Sequence, residues 1–324
     1  MVLHLPQSYG AQSEVKNVMN VHNHMITPQS SYPIIAIVQD GLVGSYTLTL
    51  TKTDGSETFI RKSIFYNIIT ALHYTKSQMA SFIRRAKLFY PDYVTKSGLS
   101  DMIPGKLAIS VVFPENFYYF KKTELDERYP NITIHHGIVK PSSGPFCKKI
   151  IGSSANNVFQ MIYKEYTPKL ALDVLSDYQM FIDLWFTKHG FSIGLEDVIL
   201  ADSSKIDQIL AQTRADVYAC QKRTNVVGIT RNAASSALAY IADNMKTGEL
   251  NGYNIARNSG AKGKLTNLLQ MAGFLGLQSS SADDVNKEDF SGRPSNHVPE
   301  GDKSLESLGF VGSNYLNGLS PPEF

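Results

Sequence analysis

The chain has 324 residues, 43% of them hydrophobic and 19% charged, with a net charge of +2. This composition excludes a disordered chain and leaves room for two domains, while the near-neutral charge does not by itself point to nucleic acid or membrane. The two cysteines, Cys147 and Cys220, make neither a disulfide framework nor a metal-ligand spacing and suit a reducing compartment.

The N-terminus, M-V-L-H-L-P-Q-S, has no basic region leading into an apolar one. The longest apolar runs, such as residues 34–38, are too short for a bilayer. A soluble intracellular protein with no membrane partner is expected. Residues 47–52 alternate, with Leu48 and Leu50 on one side and threonines on the other, which predicts a half-buried strand. Residues 107–113 and 132–139 read as further strands beside Pro or Gly. Residues 77–89 predict a helix with Met79, Phe82, Ile83 and Ala86 inward; Arg84, Arg85 and Lys87 are taken as solvated. In the second half the period becomes helical. Residues 170–186 predict one helix, and 203–223 another, with Ile206, Ile209, Leu210, Thr213, Val217 and Cys220 on one face and a Ser204–Asp207 capping pair. Residues 232–246 predict its hairpin partner. Residues 264–277 predict the last strong helix, and 279–307 a long irregular connection. The fold class expected is α+β, a strand-rich half followed by a helical half with a long hairpin.

The stretch that carries chemistry is N-S-G-A-K-G-K-L-T-N-L-L-Q-M-A-G-F-L-G-L-Q, residues 258–278. Gly260 and Gly263 bracket Lys262, and a predicted helix follows. Free N–H groups at a helix start favour an anion, and glycines let a phosphate approach the backbone. From Leu250 to Ala282 there is no Asp or Glu, while Arg257, Lys262 and Lys264 are basic. A phosphate-facing turn and a plain glycine turn with solvated lysines both fit. A Walker A loop does not, since it would need glycine in place of Asn258 and Ser or Thr in place of Leu265.

This stretch closely resembles a motif of the largest (β′-type) subunit of multisubunit DNA-directed RNA polymerase, in which a G-[SA]-[KR]-G turn opens a helix through Q-[ML]-[SA]-G/A. Here the pieces are Gly260-Ala261-Lys262-Gly263, Gln270-Met271-Ala272-Gly273 and Gly276-Leu277-Gln278. Lys264 stands where serine is usual. Further pieces follow family order. M-V-L-H-L-P-Q-S resembles the segment after the metal-binding N-A-D-F-D-G-D loop. I-T-P-Q-S-S-Y-P with Gln39, Asp40 and Gly44 resembles the next signature. Gly137 and Gly152-Ser153-Ser154 are similar to the later pore. H-G-F-S-I-G resembles the lead into the funnel, and residues 309–324 resemble the lead-in to the bridge helix. The N-terminal half looks most like eukaryotic and large-DNA-virus versions.

The resemblance implies a pore domain over 27–188 after the end of an active-site region (1–26), a funnel domain over 189–300, and a bridge-helix lead-in over 301–324. It implies a role in template-directed RNA synthesis: nucleotide access and bracing of the active site. Lys262 would meet the triphosphate of the incoming nucleotide on the turn made by Gly260 and Gly263. His4, Gln39, Asp40, Gln270 and Gln278 would brace the site. No catalytic residue and no metal ligand is expected in this chain. The Mg2+ ions would sit on aspartates outside it, so the chain alone is expected to be inactive, as a split product or an excised piece. Expected partners are the rest of the largest subunit, the second-largest and smaller subunits, DNA template, RNA transcript, nucleoside triphosphates, and a transcript-cleavage factor at the funnel. His22 with His24, and His135 with His136, lack acidic or thiol partners at ligand spacing and read as structural. Residues 117–120, F-Y-Y-F, read as core or subunit interface rather than base-stacking platform. A freestanding phosphate-binding enzyme and a non-catalytic scaffold are the rival readings.

Overall fold

The computed structural model describes residues 3–96, 98–123, 127–220, 223–245, 251–279, 285, 293 and 296–324. The chain divides into two units, Met1–Phe191 with Asn258–Lys262, and Ser192–Arg257 with Gly263–Phe324. The fold is α+β, with helices joined by small antiparallel sheets.

The first unit contains α1 (Tyr9–Asn17), α2 (Asp40–Thr49), α3 (Lys62–Ala71), α4 (Lys76–Phe89), α5 (Gly105–Ile109), the short α6 (Lys148–Ile151), α7 (Val158–Glu165) and α8 (Pro168–His189). Its strands are β1 (Phe59–Arg61) paired with β4 (Met102–Pro104), β2 (Val94–Thr95) with β3 (Gly98–Leu99), and the sheet β5 (Tyr119–Lys122), β6 (Asn131–His135), β7 (Ile138–Val139) in that order. Helix α8 supplies much of the core through Leu172, Tyr178, Phe181, Ile182 and Trp185, against α2, α3 and α7. Helix α4 starts on a Thr75–Gln78 capping box and buries Met79, Phe82 and Ala86. Arg84 and Lys87 are exposed, while Arg85 donates through Nη1 to the His136 carbonyl at 2.7 Å.

Two expected strands are helical instead. Residues 47–49 belong to α2. There Ser45, Thr47 and Thr49 each turn a hydroxyl back to the carbonyl four residues earlier, at 2.6–2.8 Å. These bonds satisfy hydroxyls that burial would otherwise leave unpaired. The helix also packs closely on α8, since a Cβ at Gly44 would lie 2.7 Å from Ile182 Cγ2. Residues 107–109 belong to α5, and Ser110–Val112 form a 3-10 turn. Everything from Gly105 to Phe113 is buried. A run covered on all sides keeps no polar face from which its period could be read. Lys106 lies within that run, 2% exposed. Its Nζ reaches Thr51 Oγ1 at 2.7 Å, the Pro141 carbonyl at 2.9 Å and Glu57 Oε1 at 3.4 Å.

Tyr74, after α3, donates to Asp177 Oδ2 of α8 at 3.2 Å. Burial raises the Asp177 carboxyl above its ordinary 3.8; Tyr74 opposes the shift and Asp173, one turn away, adds to it. The folded state therefore holds this proton more tightly than the unfolded one. Its contribution to stability is favourable at low pH and is lost as pH rises through the window above 3.8. Asp177→Asn keeps an acceptor for Tyr74 and removes the titration. Urea unfolding from pH 3 to 7 is expected to show the variant gaining on the parent as pH rises, and a constant difference would contradict the assignment.

The second unit is built on α9 (Ser204–Ala219) and α10 (Arg223–Asp243), followed by α11 (Gly252–Asn258), α12 (Leu265–Leu268), β8 (Gly276–Leu277) and β9 (Phe310–Val311). α9 and α10 are an antiparallel hairpin. Its base is closed by a Leu200–Met245 bridge, by Ala201 N–H on the Asn244 carbonyl at 3.0 Å and by Tyr240 OH on the Asp202 carbonyl at 3.0 Å. Ile206, Leu210, Thr213 and Val217 are buried as the period requires, and Ala233, Ala237 and Ile241 meet them in one core. At the start of α9 the Ser204 N–H and hydroxyl both bond Asp202, at 2.8 Å each, so the expected Ser204–Asp207 pair does not form the cap. Of the irregular connection expected over 279–307, residues 280–284, 286–292, 294 and 295 lie outside the described residues.

Candidate functional site

The approach to the glycine turn is held first at the start of α11. Asn251 is fully buried; its Oδ1 accepts from Asn254 N–H at 2.9 Å and its Nδ2 donates to the Asp197 carbonyl at 2.8 Å. The Asp197 carboxylate accepts from Gly252 N–H at 3.0 Å and from Gly194 N–H at 2.9 Å. Sequence reasoning missed both residues. Asn251 was detectable as an N-cap residue before an apolar helix; Asp197 left no local signal.

The turn is set by sterics. Ser259 is buried and its carbonyl accepts from Lys148 N–H at 2.8 Å. Gly260 has φ +78°, and a Cβ there would lie 2.6 Å from Lys148 Cβ. Gly263 has φ +84°, and a Cβ would lie 2.9 Å from the Tyr253 ring. Tyr253 OH donates to the Lys264 carbonyl at 3.0 Å. Both positions require a left-handed backbone and a missing side chain at once. Lys262, between them, is exposed, and among the described residues its ammonium has no ion-pair or hydrogen-bond partner.

The helix expected over 264–277 is shorter: α12 continues directly into a π-helical turn, Leu269–Gly273, after which Phe274 is extended. Lys262 lies just ahead of this run as an exposed charge that an anion could meet. The run ends at Gly273, where a second segment takes its last carbonyls. Gln270 O accepts from Tyr315 N–H at 3.0 Å and Met271 O from Leu316 N–H at 3.2 Å. The buried Asn314 Nδ2 donates to the Gly273 carbonyl at 3.0 Å. β8 then pairs with β9, Gly276 opposite Val311, and Phe274 packs on Phe310 with ring centroids 5.5 Å apart.

The other expected site residues fall as follows. His4 is exposed ahead of α1. Gln39, with φ +46°, is the N-cap of α2, and its carbonyl accepts from Leu42 and Val43 N–H at 3.0 and 3.2 Å. Asp40 is the first residue of α2, where a carboxylate is favoured by the helix dipole. The pair therefore starts a helix rather than ending a strand. Gln270 lies in the π turn, and Gln278 Nε2 donates to the Leu275 carbonyl at 3.3 Å. No side-chain hydrogen bond or ion pair joins any two of these residues among those described. No group of three or more His, Cys, Asp or Glu among the described residues has the geometry to hold a metal ion. No described helix is long and apolar enough to cross a membrane.

Against known proteins, residues 24–198 match the family model described as RNA polymerase Rpb1, domain 3, and residues 200–311 the one described as RNA polymerase Rpb1, domain 4. The chain belongs to the family of the largest subunit of DNA-directed RNA polymerase. Over its whole length it is 27% identical to DNA-directed RNA polymerase III subunit RPC1 of Saccharomyces cerevisiae, covering 24% of that protein. It is 24% identical to DNA-directed RNA polymerase II subunits RPB1-B and RPB1-A of Trypanosoma brucei brucei, again over its whole length and covering 18% of each. The chain thus spans less than a quarter of the length of these curated relatives.

Proposed function

We propose that this chain works inside an assembled RNA polymerase, as the wall of the channel by which nucleoside triphosphates reach the active site. In this reading residues 27–188 form the pore and 189–300 the funnel, with 1–26 and 301–324 leading from and toward the catalytic segments. The observation that carries it is Lys262: an exposed ammonium, without a partner among the described residues, two residues after a Gly260 that Lys148 confines. A side chain on a fixed base loses less freedom when it meets a triphosphate. Gln270 and Gln278 brace the segment behind the turn, while His4, Gln39 and Asp40 belong to the active-site surround. Mg2+ is expected on aspartates carried by another part of the assembly. Other polymerase subunits, template DNA, transcript RNA and a cleavage factor at the α9–α10 hairpin complete the partners. A freestanding phosphate-binding enzyme is the weaker reading, because the family models and the relatives matched over the whole chain are polymerase subunits.

The test is affinity purification of the chain from its native source, with templated RNA synthesis as the readout. Copurification with a second-largest subunit and other polymerase subunits is expected, with synthesis lost when these are removed. Templated synthesis by the isolated chain, or purification with no polymerase subunit, would overturn the proposal.

A further inference from the structure

Strand β5 is the outer strand of its sheet: β6 pairs on one side, and among the described residues no strand pairs on the other. The register fixes which amides are spare. Tyr119 lies opposite Ile134 and Lys121 opposite Ile132. Beyond the two ends of the strand, Thr123 N–H donates to the Pro130 carbonyl at 2.6 Å and the Phe117 carbonyl accepts from Gly137 N–H at 2.9 Å. Odd-numbered residues therefore aim their backbone at β6. By the period of two, residues 118, 120 and 122 aim theirs outward. Thr133, opposite Phe120, confirms the phase, since its carbonyl serves Lys140 N–H on the β7 side at 2.9 Å.

A groove of about 620 Å³ runs along this edge. It is lined by residues 118–122 and, opposite, by Met161, Lys164 and Glu165 of α7. Successive side chains of a strand point to opposite faces, so a cavity lined by five consecutive residues lies along the edge and not over a face. Tyr118 and Phe120 are 53% and 56% exposed, whereas the alternating Phe117 and Tyr119 are buried. Lys122 and Lys164 are exposed; Lys121 is already occupied, donating to the Lys149 and Ala155 carbonyls at 2.8 Å each. Among the described residues that line the groove, the free charge is two lysines against Glu165.

We infer that the outer edge of β5 takes up an extended segment of another polymerase subunit as a fourth strand, its side chains apolar where they meet Tyr118 and Phe120 and acidic where they meet Lys122 and Lys164. Spare amides dictate a strand-shaped occupant, the aromatic pair an apolar one, and the charge balance an acidic one. The inference rests on the proposed assembly, which the same experiment reads separately.

Hydrogen exchange resolved to single amides is measured on the chain alone and on the purified polymerase. The amides of Phe120 and Lys122 are expected to exchange quickly in the chain alone and at least about a hundred-fold more slowly in the assembly. Phe120→Pro deletes an outward N–H without touching the β6 ladder and is expected to weaken capture of one subunit; Phe120→Ala, which keeps that N–H, is expected to weaken it less. An assembly whose 120 and 122 amides stay fast overturns the inference while leaving the proposed function intact; a chain that never assembles removes both. Protection that grows with the concentration of the chain alone would identify a second copy as the occupant and overturn the inference.

Discussion

In an assembled polymerase, Lys262→Ala is expected to lower kcat/KM for nucleotide by about ten-fold or more, with assembly unchanged. One charge-assisted hydrogen bond contributes about 1.5–3 kcal/mol, and about 1.4 kcal/mol corresponds to ten-fold. If the ammonium holds the triphosphate equally in ground and transition states, the loss falls on KM; if it tightens only during transfer, the loss falls on kcat. Lys262→Arg is expected to retain most of the activity, because the contact requires a cation on a fixed turn. The deficit of the alanine variant is expected to shrink as salt screens the parental contact. Steady-state and single-turnover incorporation would separate these cases. An assembled Lys262→Ala enzyme with parental kinetics would remove Lys262 from the nucleotide path and leave the scaffold reading in front.

Gly260→Ala is expected to have the largest structural effect. A side chain at φ +78° costs about 1–2 kcal/mol of left-handed strain. The added Cβ would also sit 2.6 Å from Lys148 Cβ. That atom cannot swing aside, because it is bonded directly to a backbone whose N–H is tied to Ser259 O. Relieving such an overlap costs about 1–3 kcal/mol more, giving a total of about 2–5 kcal/mol. Gly55→Ala is the control: its φ is +80°, and a Cβ there meets nothing within 4 Å. Denaturant unfolding of the two variants would isolate the contact, and equal losses would show that Lys148 does not confine the turn. Because Lys262 lies two residues on, Gly260→Ala in the assembled enzyme is expected to impair nucleotide use as well.

The sequence by itself determined the family, through ordered motifs from M-V-L-H-L-P-Q-S to the final G-F-V-G-S-N-Y. It also determined the helices that bury one face: α4, α8, α9 and the second half of α10 follow the 3.6-residue period, and the hairpin follows from them. The strand predicted over 132–139 is present, but a turn at His136-Gly137 divides it into β6 and β7, and the pairing of β6 with β5 was not read from the sequence. Only the tertiary structure decided the segments enclosed on every side or completed by distant ones. α2 mimics a strand in its Thr-Leu alternation but is a helix whose hydroxyls are satisfied along its own backbone and whose glycines admit α8. The helical run from α12 ends at Gly273, where Asn314, Tyr315 and Leu316 take carbonyls that a continuing helix would have used. The glycine turn itself was visible, but its reason was not. Local sequence offers a phosphate as the cause for Gly260 and Gly263, whereas the fold supplies Lys148 and Tyr253, two side chains that leave no room for a Cβ at either position.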